Sequence, residues 1–183
     1  MKAGVRALGV AESFRGETSH LAGVVVRASR IVDGFVFDTC TVGGSDATRA
    51  VCMMVDRLDR EDVQYLLLSG IAPAWFNLLD LRRIHDETDL PVVSVTFEAS
   101  PGLESAIEEA FDDPETVADR LSTYRAQPER HPLTVNDETV YVRAVGLADD
   151  EAADVVRAFT PEGGRPEPLR VARLAARGLV DAD

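Results

Sequence analysis

Two acidic residues stand where predicted elements of the chain reach one edge of a sheet. Glu12 follows the first predicted strand, and Asp46 begins the first predicted helix. In open sheets with parallel strands, reactive groups collect beyond the carboxyl ends of those strands, and a helix N-terminus favours anions there. Mg²⁺ is usually bound by one or two carboxylates together with water and substrate phosphate. The pattern therefore predicts Glu12 and Asp46 as catalytic residues and metal ligands for phosphodiester hydrolysis.

Each carboxylate also has an interpretation without a metal. An aspartate at a helix start stabilises the helix by facing the positive end of its dipole. Glu12 precedes a polar loop, where a carboxylate can simply be hydrated. The pattern alone leaves both interpretations of Glu12 and Asp46 open.

A second group of candidates follows the strand that ends at Ser69. Trp75 and Phe76 fall in a predicted surface loop at the same edge of the sheet. A nucleic-acid base stacked on an aromatic side chain contributes about 1–3 kcal/mol. We predict Ser69, Trp75, Phe76 and Asn77 as substrate-binding residues. The alternative is that the rings are buried beneath the following helix.

The densest basic stretch lies near the C-terminus, at Arg165, Arg170, Arg173 and Arg177. The last three share one face of a predicted helix, so Arg170 and Arg173 are candidates for contacting a phosphate backbone. Pairing with neighbouring carboxylates such as Glu167 is the alternative. The three histidines have no zinc-ligand spacing, and neither GxxxxGK nor GxGxxG is present.

The elements that position these residues follow from hydrophobic periodicity and turn signals. An antiparallel meander of three strands is predicted at residues 5–11, 21–27 and 31–41. Helices are predicted at 47–58, from an N-cap at Asn77, and at 103–111, 115–126, 149–159 and 167–177. Buried strands are predicted at 63–68 and 92–97, and a hairpin at 131–135 and 139–144. The expected fold is α/β, a mixed sheet flanked by helices in a single domain spanning residues 1–183.

The amino-acid composition indicates the solvent environment of the protein but says little about its binding partners. The formal net charge is −13, and all but one of the basic residues are arginines. This balance is typical of proteins from halophilic archaea, where at about 1 M salt the Debye length is only ~3 Å. The acidity therefore does not exclude a nucleic-acid partner. Because no apolar run approaches ~20 residues and no signal peptide is apparent, we expect a cytoplasmic protein without a membrane partner.

Four segments resemble the motifs of a known archaeal family. The chain is similar to the endonuclease-V-like proteins of the deoxyuridine-endonuclease type over nearly its whole length. The resemblance implies a ribonuclease-H-like fold and Mg²⁺-dependent cleavage of DNA or RNA near a deaminated base such as deoxyuridine. It also implies damaged or single-stranded DNA as a partner. The segments are Gly9-Val-Ala-Glu-Ser-Phe14, Val42-Gly-Gly-Ser-Asp-Ala-Thr48, Ser69-Gly-Ile-Ala-Pro-Ala-Trp-Phe-Asn77 and Pro166-Glu-Pro-Leu-Arg-Val-Ala-Arg173.

The chain departs from the family pattern at three positions, and together with its acidic composition this indicates a haloarchaeal branch with altered motifs. It has Ala11-Glu12 where the family has two acids, Ser69-Gly70 in place of Asp-Gly, and Ala172-Arg173 in place of Ala-His. Glu12 and Asp46 remain, and Asp80 is a candidate to replace the missing carboxylate. Two hypotheses follow: a metal-dependent endodeoxyribonuclease, or a catalytically inactive domain that binds nucleic acid or protein.

Overall fold

The computed structural model describes residues 1–183, which form seven strands and seven helices. The strands are β1 (Arg6–Arg15), β2 (Thr18–Arg27), β3 (Val32–Thr41), β4 (Val63–Ser69), β5 (Val92–Thr96), β6 (His131–Val135) and β7 (Glu138–Val145). The helices are α1 (Ala47–Leu58), the single turn α2 (Pro73–Phe76), α3 (Leu81–Thr88), α4 (Glu104–Ala110), α5 (Pro114–Arg125), α6 (Asp149–Ala158) and α7 (Glu167–Ala182). No helix combines the length and the apolar character needed to cross a membrane.

All seven strands join one mixed sheet in the order β3-β2-β1-β4-β5-β7-β6. The first three strands are antiparallel, and β4 and β5 run parallel to β1. The predicted meander and parallel strands are thus confirmed. The C-terminal hairpin extends the same sheet, because β7 pairs antiparallel with β5. Its turn residues Asn136 and Asp137 both have positive φ, as a two-residue hairpin turn requires.

Successive side chains of each strand point to opposite faces of the sheet, and each face packs against its own hydrophobic core. Leu8 and Val10 of β1 face the core beneath α1 and α3, whereas Ala7 faces the core beneath α6 and α7. Gly9, which lies between Leu8 and Val10 in β1, has no room for a side chain. An added Cβ would lie 2.5 Å from the backbone carbonyl carbon of Pro168. Glycine at this position therefore lets the start of α7 pack directly on β1.

Helix starts were predicted well where the cap is local, and one was predicted wrongly. Asp113 caps α5 through Thr116, as expected from the Asp-Pro pair. Asn77, predicted as a cap, does not start a helix. Asp80 caps α3 by accepting a hydrogen bond from the Arg83 backbone N–H. The side chain of Asn77 instead forms hydrogen bonds with the loop that precedes α1.

A cluster of charges joins the first three strands at the end opposite Glu12. The Asp33 carboxylate accepts hydrogen bonds from Arg6, Arg27 and Arg60. These guanidinium groups, Arg6 foremost, hold the pKa of Asp33 far below its usual range. Because the folded-state pKa is depressed, the stabilisation is present above the unfolded pKa of about 3.9 and is lost as the pH falls further.

We predict that Asp33→Asn lowers the melting temperature by several degrees at pH 7, with the difference from the wild type shrinking below about pH 4. Thermal unfolding followed by circular dichroism at neutral and acidic pH measures both values. Asp56→Asn is the matched control, because Asp56 is exposed and has no ion-pair partner. An equal loss at both pH values would mean that Asp33 acts through packing rather than charge.

Candidate active site

Glu12 lies at the point where β1 extends past its parallel neighbour. The strand was predicted to end at Ala11 but continues to Arg15, because its antiparallel pairing with β2 persists. Pairing with β4 stops at Val10 and Leu68, two residues earlier than Glu12. The Glu12 side chain therefore projects at the carboxyl end of β4. Its Oε2 accepts a 2.6 Å hydrogen bond from the buried Ser19 hydroxyl, while Oε1 has no partner within the protein.

Asp46 is the N-cap residue of α1, but its side chain does not cap the helix. Its Oδ1 accepts hydrogen bonds from the Thr41 backbone N–H at 3.0 Å and from Asn77 Nδ2 at 2.7 Å. Its Oδ2 accepts one from the Thr41 hydroxyl at 2.9 Å. Loss of hydration raises the pKa of Asp46, but the bonds from Thr41 and Asn77 together outweigh it, so the pKa lies below its usual value. Asp46 is therefore an anion at neutral pH.

Asn77 is wholly buried and connects the loop before α1 to the loop after α2. Its amide donates to the Thr41 carbonyl at 2.8 Å as well as to Asp46, and its Oδ1 accepts from the Ala47 backbone N–H at 3.0 Å. This side chain takes the capping role that Asp46 leaves vacant. Its place is therefore behind the candidate site, where it orients a carboxylate, and not on a surface that substrate can reach.

Both carboxylates lie close to one thiol. Burial raises the pKa of Cys40 to about 12, and the negative charges of Asp46 and Glu12 add to the rise. Neither carboxylate is paired with an arginine. The structure contains no group of three or more His, Cys, Asp or Glu side chains arranged to bind a metal. Any ion here would depend on the two acids and water.

The turn that presents Trp75 has an unusual backbone. Ala74, Trp75 and Phe76 all have positive φ, at 49°, 58° and 59°. A left-handed residue other than glycine costs roughly 1–2 kcal/mol, so three in succession need external support. Trp75 is 52% exposed, whereas Phe76 is half-buried and packs edge-on against Phe111. The backbone strain thus accompanies an exposed aromatic side chain at the edge predicted to be functional.

Arg120 supplies much of that support and was missed by the sequence analysis. Its guanidinium is buried and donates to the carbonyls of Phe76 at 3.1 Å, Gly43 at 3.1 Å and Gly44 at 2.7 Å. The Gly43 N–H in turn donates to the Ala74 carbonyl at 2.7 Å. One side chain from α5 therefore fixes the two loops on either side of Asp46. Nothing local in the sequence marks Arg120, because its acceptors are backbone groups more than forty residues away.

A cleft of about 410 Å³ opens beyond the carboxyl ends of β1, β4 and β5. Glu12 and Ser69 lie in its wall, as the sequence predicted, and three arginines occupy another part of it. Asp46 and Trp75 lie outside it, on the side of Thr41 and Gly43. The lining residues are Glu12, Ser69, Gly70, Ile71, Ala72, Pro73, Val95, Thr96, Phe97, Glu98, Ser100, Gly102, Leu103, Tyr124, Arg130, Arg143 and Arg165.

Comparison with known proteins identifies the family. The sequence model of the family described as Endonuclease dU matches residues 3–180. This chain belongs to the Endonuclease dU family. It is 32% identical over 188 residues to a UPF0215 protein of Methanopyrus kandleri, covering 100% of this chain and 95% of the relative. It is 34% identical over 192 residues to a UPF0215 protein of Thermococcus kodakarensis, covering 100% and 96%.

Solved structures show how widely the fold is shared. A protein of unknown function from Archaeoglobus fulgidus is similar with a TM-score of 0.85 and 30% identity, covering 96% of this chain and 98% of that one. Human ENDOV is similar with a TM-score of 0.61 and 16% identity, covering 97% and 84%. Ciona intestinalis endonuclease V, solved with an inosine-containing DNA, has a TM-score of 0.64 and 13% identity, covering 97% and 86%. The ribonuclease-H-like fold class is confirmed.

The remaining candidates of this Endonuclease dU family member lie apart from the two acids. Arg170 on α7 donates two hydrogen bonds to Glu167, at 2.7 and 2.8 Å, which is the pairing that the sequence left open. Arg173 is exposed and has no carboxylate partner. Burial lowers the pKa of Arg165, and the positive charge of Arg173 lowers it further. Asp80, the candidate replacement for the carboxylate missing at Ser69, caps α3 instead and does not line the cleft.

Proposed function

We propose that this protein is a Mg²⁺-dependent endonuclease that cleaves a DNA or RNA strand near a deaminated base such as deoxyuridine. The observation that supports this most is the position of Glu12, whose unpartnered Oε1 lies at the strand edge where the parallel strands end. Membership of a family described as Endonuclease dU supports the reaction. The shared fold of an endonuclease V solved with inosine-containing DNA supports the substrate class.

The donor set fits Mg²⁺ better than a softer metal. Glu12 and Asp46 offer carboxylate oxygens only, and the nearby Cys40 thiol is protonated at neutral pH because its pKa is about 12. Mg²⁺ keeps several water ligands and needs only one or two protein carboxylates. Glu12 and Asp46 would hold it together with water. When bound, the ion would polarise a phosphoryl oxygen and activate water.

The chain's own residues would orient and shield this chemistry. Ser19 fixes the Glu12 carboxylate, and Asn77 and Thr41 fix that of Asp46, so neither acid needs to reorganise on binding substrate. Trp75 would stack on a base of the distorted strand, supported by Phe76 at 5.3 Å between ring centroids. Ser69 would contact the strand inside the cleft, and Arg173 a phosphate outside it. Arg170 would first have to leave Glu167.

Incubation with matched oligonucleotides tests the proposal. Uracil- and inosine-containing strands are compared with undamaged ones, in the presence of Mg²⁺ or Mn²⁺ and at about 1 M KCl or more, where an acidic chain is least self-repelling. We expect metal-dependent nicks near the deaminated base that EDTA abolishes. Ser69→Asp, which adds a carboxylate to the cleft wall that contains Glu12, should increase the rate. No nicking above a Glu12→Ala preparation, by either the wild type or Ser69→Asp, would refute the nuclease.

A second function is favoured by the small number of acids at the site. With no third carboxylate near Glu12 and Asp46, the protein would be a catalytically inactive domain that binds nucleic acid or another protein. Strand binding in EDTA without nicking in any metal would support the nucleic-acid form. Absence of both binding and nicking would leave a protein partner.

A further inference from the structure

The arginines of this chain divide sharply by their partners. Half of the eighteen have a carboxylate oxygen within 4.0 Å, as expected for a chain of net charge −13. Six of the others are exposed. The remaining three, Arg130, Arg143 and Arg165, are buried or half-buried, and all three line the cleft that contains Glu12. In an acidic protein, three buried or half-buried arginines without a carboxylate partner in one cleft are an exception to this pairing.

Each of the three guanidinium groups lies over an aromatic ring. Arg165 is 3.9 Å from the ring centre of Phe97, and Arg130 is 4.4 Å from that of Tyr141. Arg143 is 5.9 Å from the ring centre of Tyr124. Stacking of this kind orients a guanidinium and stabilises its charge without using its N–H donors. The rings therefore prepare the arginines to bind a further group.

Arg143 and Arg165 keep most of those donors free, whereas both terminal nitrogens of Arg130 already donate to protein oxygens. Arg165 donates no hydrogen bond, and Arg143 uses only Nε, toward the Pro128 carbonyl at 2.9 Å. Their free nitrogens are accessible, because the only buried side-chain polar atom without a partner is the Ser94 hydroxyl. Burial lowers the pKa of both arginines, and a neighbouring arginine lowers it further in each case. A bound anion would relieve that mutual repulsion.

Two carboxylates share the cleft with the arginines, and neither neutralises them. Glu98 is exposed and contributes only its backbone carbonyl, which accepts from Arg130 at 3.2 Å. Glu12 has its hydrogen bond from Ser19. Planar guanidinium groups with parallel free N–H donors match the oxygens of a phosphate.

From this arrangement we infer that Arg130, Arg143 and Arg165 form a binding site for the phosphodiester backbone of a single nucleic-acid strand. The inference rests on the proposed function in one respect, that the strand also reaches Glu12. It adds the path that the strand takes over the protein surface. From Trp75 and Asp46 the strand passes Glu12 and continues over the carboxyl end of β5, so that its phosphates lie on this arginine wall.

Binding in EDTA tests the site separately from catalysis. The probe is a fluorescent single-stranded DNA of about 12 nucleotides, within the range that such sites cover. Its affinity is measured by polarisation across a KCl series from about 0.1 M to about 1 M. Removal of one phosphate contact lowers the slope of log affinity against log salt by about 0.7 for a single strand. We expect Arg143→Gln and Arg165→Gln each to lower the slope by this amount and to weaken binding by about tenfold.

Two further variants make the result specific. Arg157→Gln is the matched control, since Arg157 is an exposed arginine on α6 without a carboxylate partner, and it should leave both affinity and slope unchanged. Arg143→Lys keeps the charge but not the planar fork, so it should keep the slope and lose part of the affinity. Arg165 donates no hydrogen bond within the protein, so Arg165→Gln should keep its melting temperature and report binding alone.

The inference would be overturned if both Arg143→Gln and Arg165→Gln kept the wild-type affinity and slope. It would also be overturned if Arg157→Gln weakened binding as much as they do. The proposed function fails in a different way. Binding that depends on the arginines without nicking in any metal would refute the nuclease and leave the arginine site. Nicking at the wild-type rate by a variant that carries both Arg143→Gln and Arg165→Gln, at substrate concentrations below saturation, would refute the arginine site and leave the nuclease.

Discussion

Glu12→Gln is expected to lower the rate of strand nicking by about 10²- to 10⁴-fold, the range that one positioned acid or base contributes. The substitution keeps an oxygen that can accept the hydrogen bond from Ser19, so the local structure should persist. It removes the negative charge at the carboxyl end of β4, which the proposed metal and the reacting water both require. The measurement is the single-turnover nicking rate on a uracil-containing strand, with enzyme in excess.

The matched control for this variant is Glu17→Gln. Glu17 lies five residues further along the same hairpin, is exposed, and has no side-chain partner, so its charge should not affect the rate. Thermal melts of both variants separate loss of chemistry from loss of fold. If Glu12→Gln nicked at the wild-type rate, the chemistry would have to come from another residue, and Asp46 alone would remain among the predicted ligands.

The fold could be predicted in large part because its signals are local. Alternating and continuous apolar runs marked all seven strands, and the Asn136-Asp137 pair marked the hairpin turn. The error at Asn77 has a physical cause. A buried asparagine and a helix-capping asparagine look alike in sequence, and which acceptors and donors the side chain meets depends on a loop thirty residues away. The true cap, Asp80, lies within the segment predicted to be helical.

The candidate site likewise contains residues that local sequence signals predict and residues that only the tertiary structure reveals. Strand ends predicted that Glu12 and Ser69 would share one edge, and the structure places both in one cleft. The groups that orient the acids were invisible, because Ser19, Thr41 and Arg120 act through contacts set by tertiary structure. Two of the three arginines in the cleft could not be predicted for a related reason. Arg130 and Arg143 are isolated in the sequence, whereas Arg165 belongs to the conspicuous basic stretch, which also includes an arginine already paired with Glu167.

Asn77 is expected to control both the stability of the fold and the position of Asp46. Asn77→Ala would leave the buried Ala47 N–H without an acceptor and would remove one of the three hydrogen bonds to Asp46. We expect the free energy of unfolding to fall by about 2–3 kcal/mol. For a chain of this length that corresponds to a melting temperature lower by roughly 4–12 °C. Thr41→Val, which removes only the hydroxyl bond to Asp46, should cost much less.

Asn77→Asp distinguishes the electrostatic role of this residue from its packing. It places a second carboxyl group where the amide nitrogen now lies 2.7 Å from Asp46, so one of the two must take a proton in the folded state. Because that raises a folded-state pKa above its unfolded value, the loss of stability relative to the wild type should be greatest at neutral pH. It should diminish as the pH falls toward the unfolded pKa of about 3.9. Urea unfolding of both proteins across this pH range gives the difference directly. A difference that does not change with pH would mean that the two side chains separate, and that Asp46 is not held in place by Asn77.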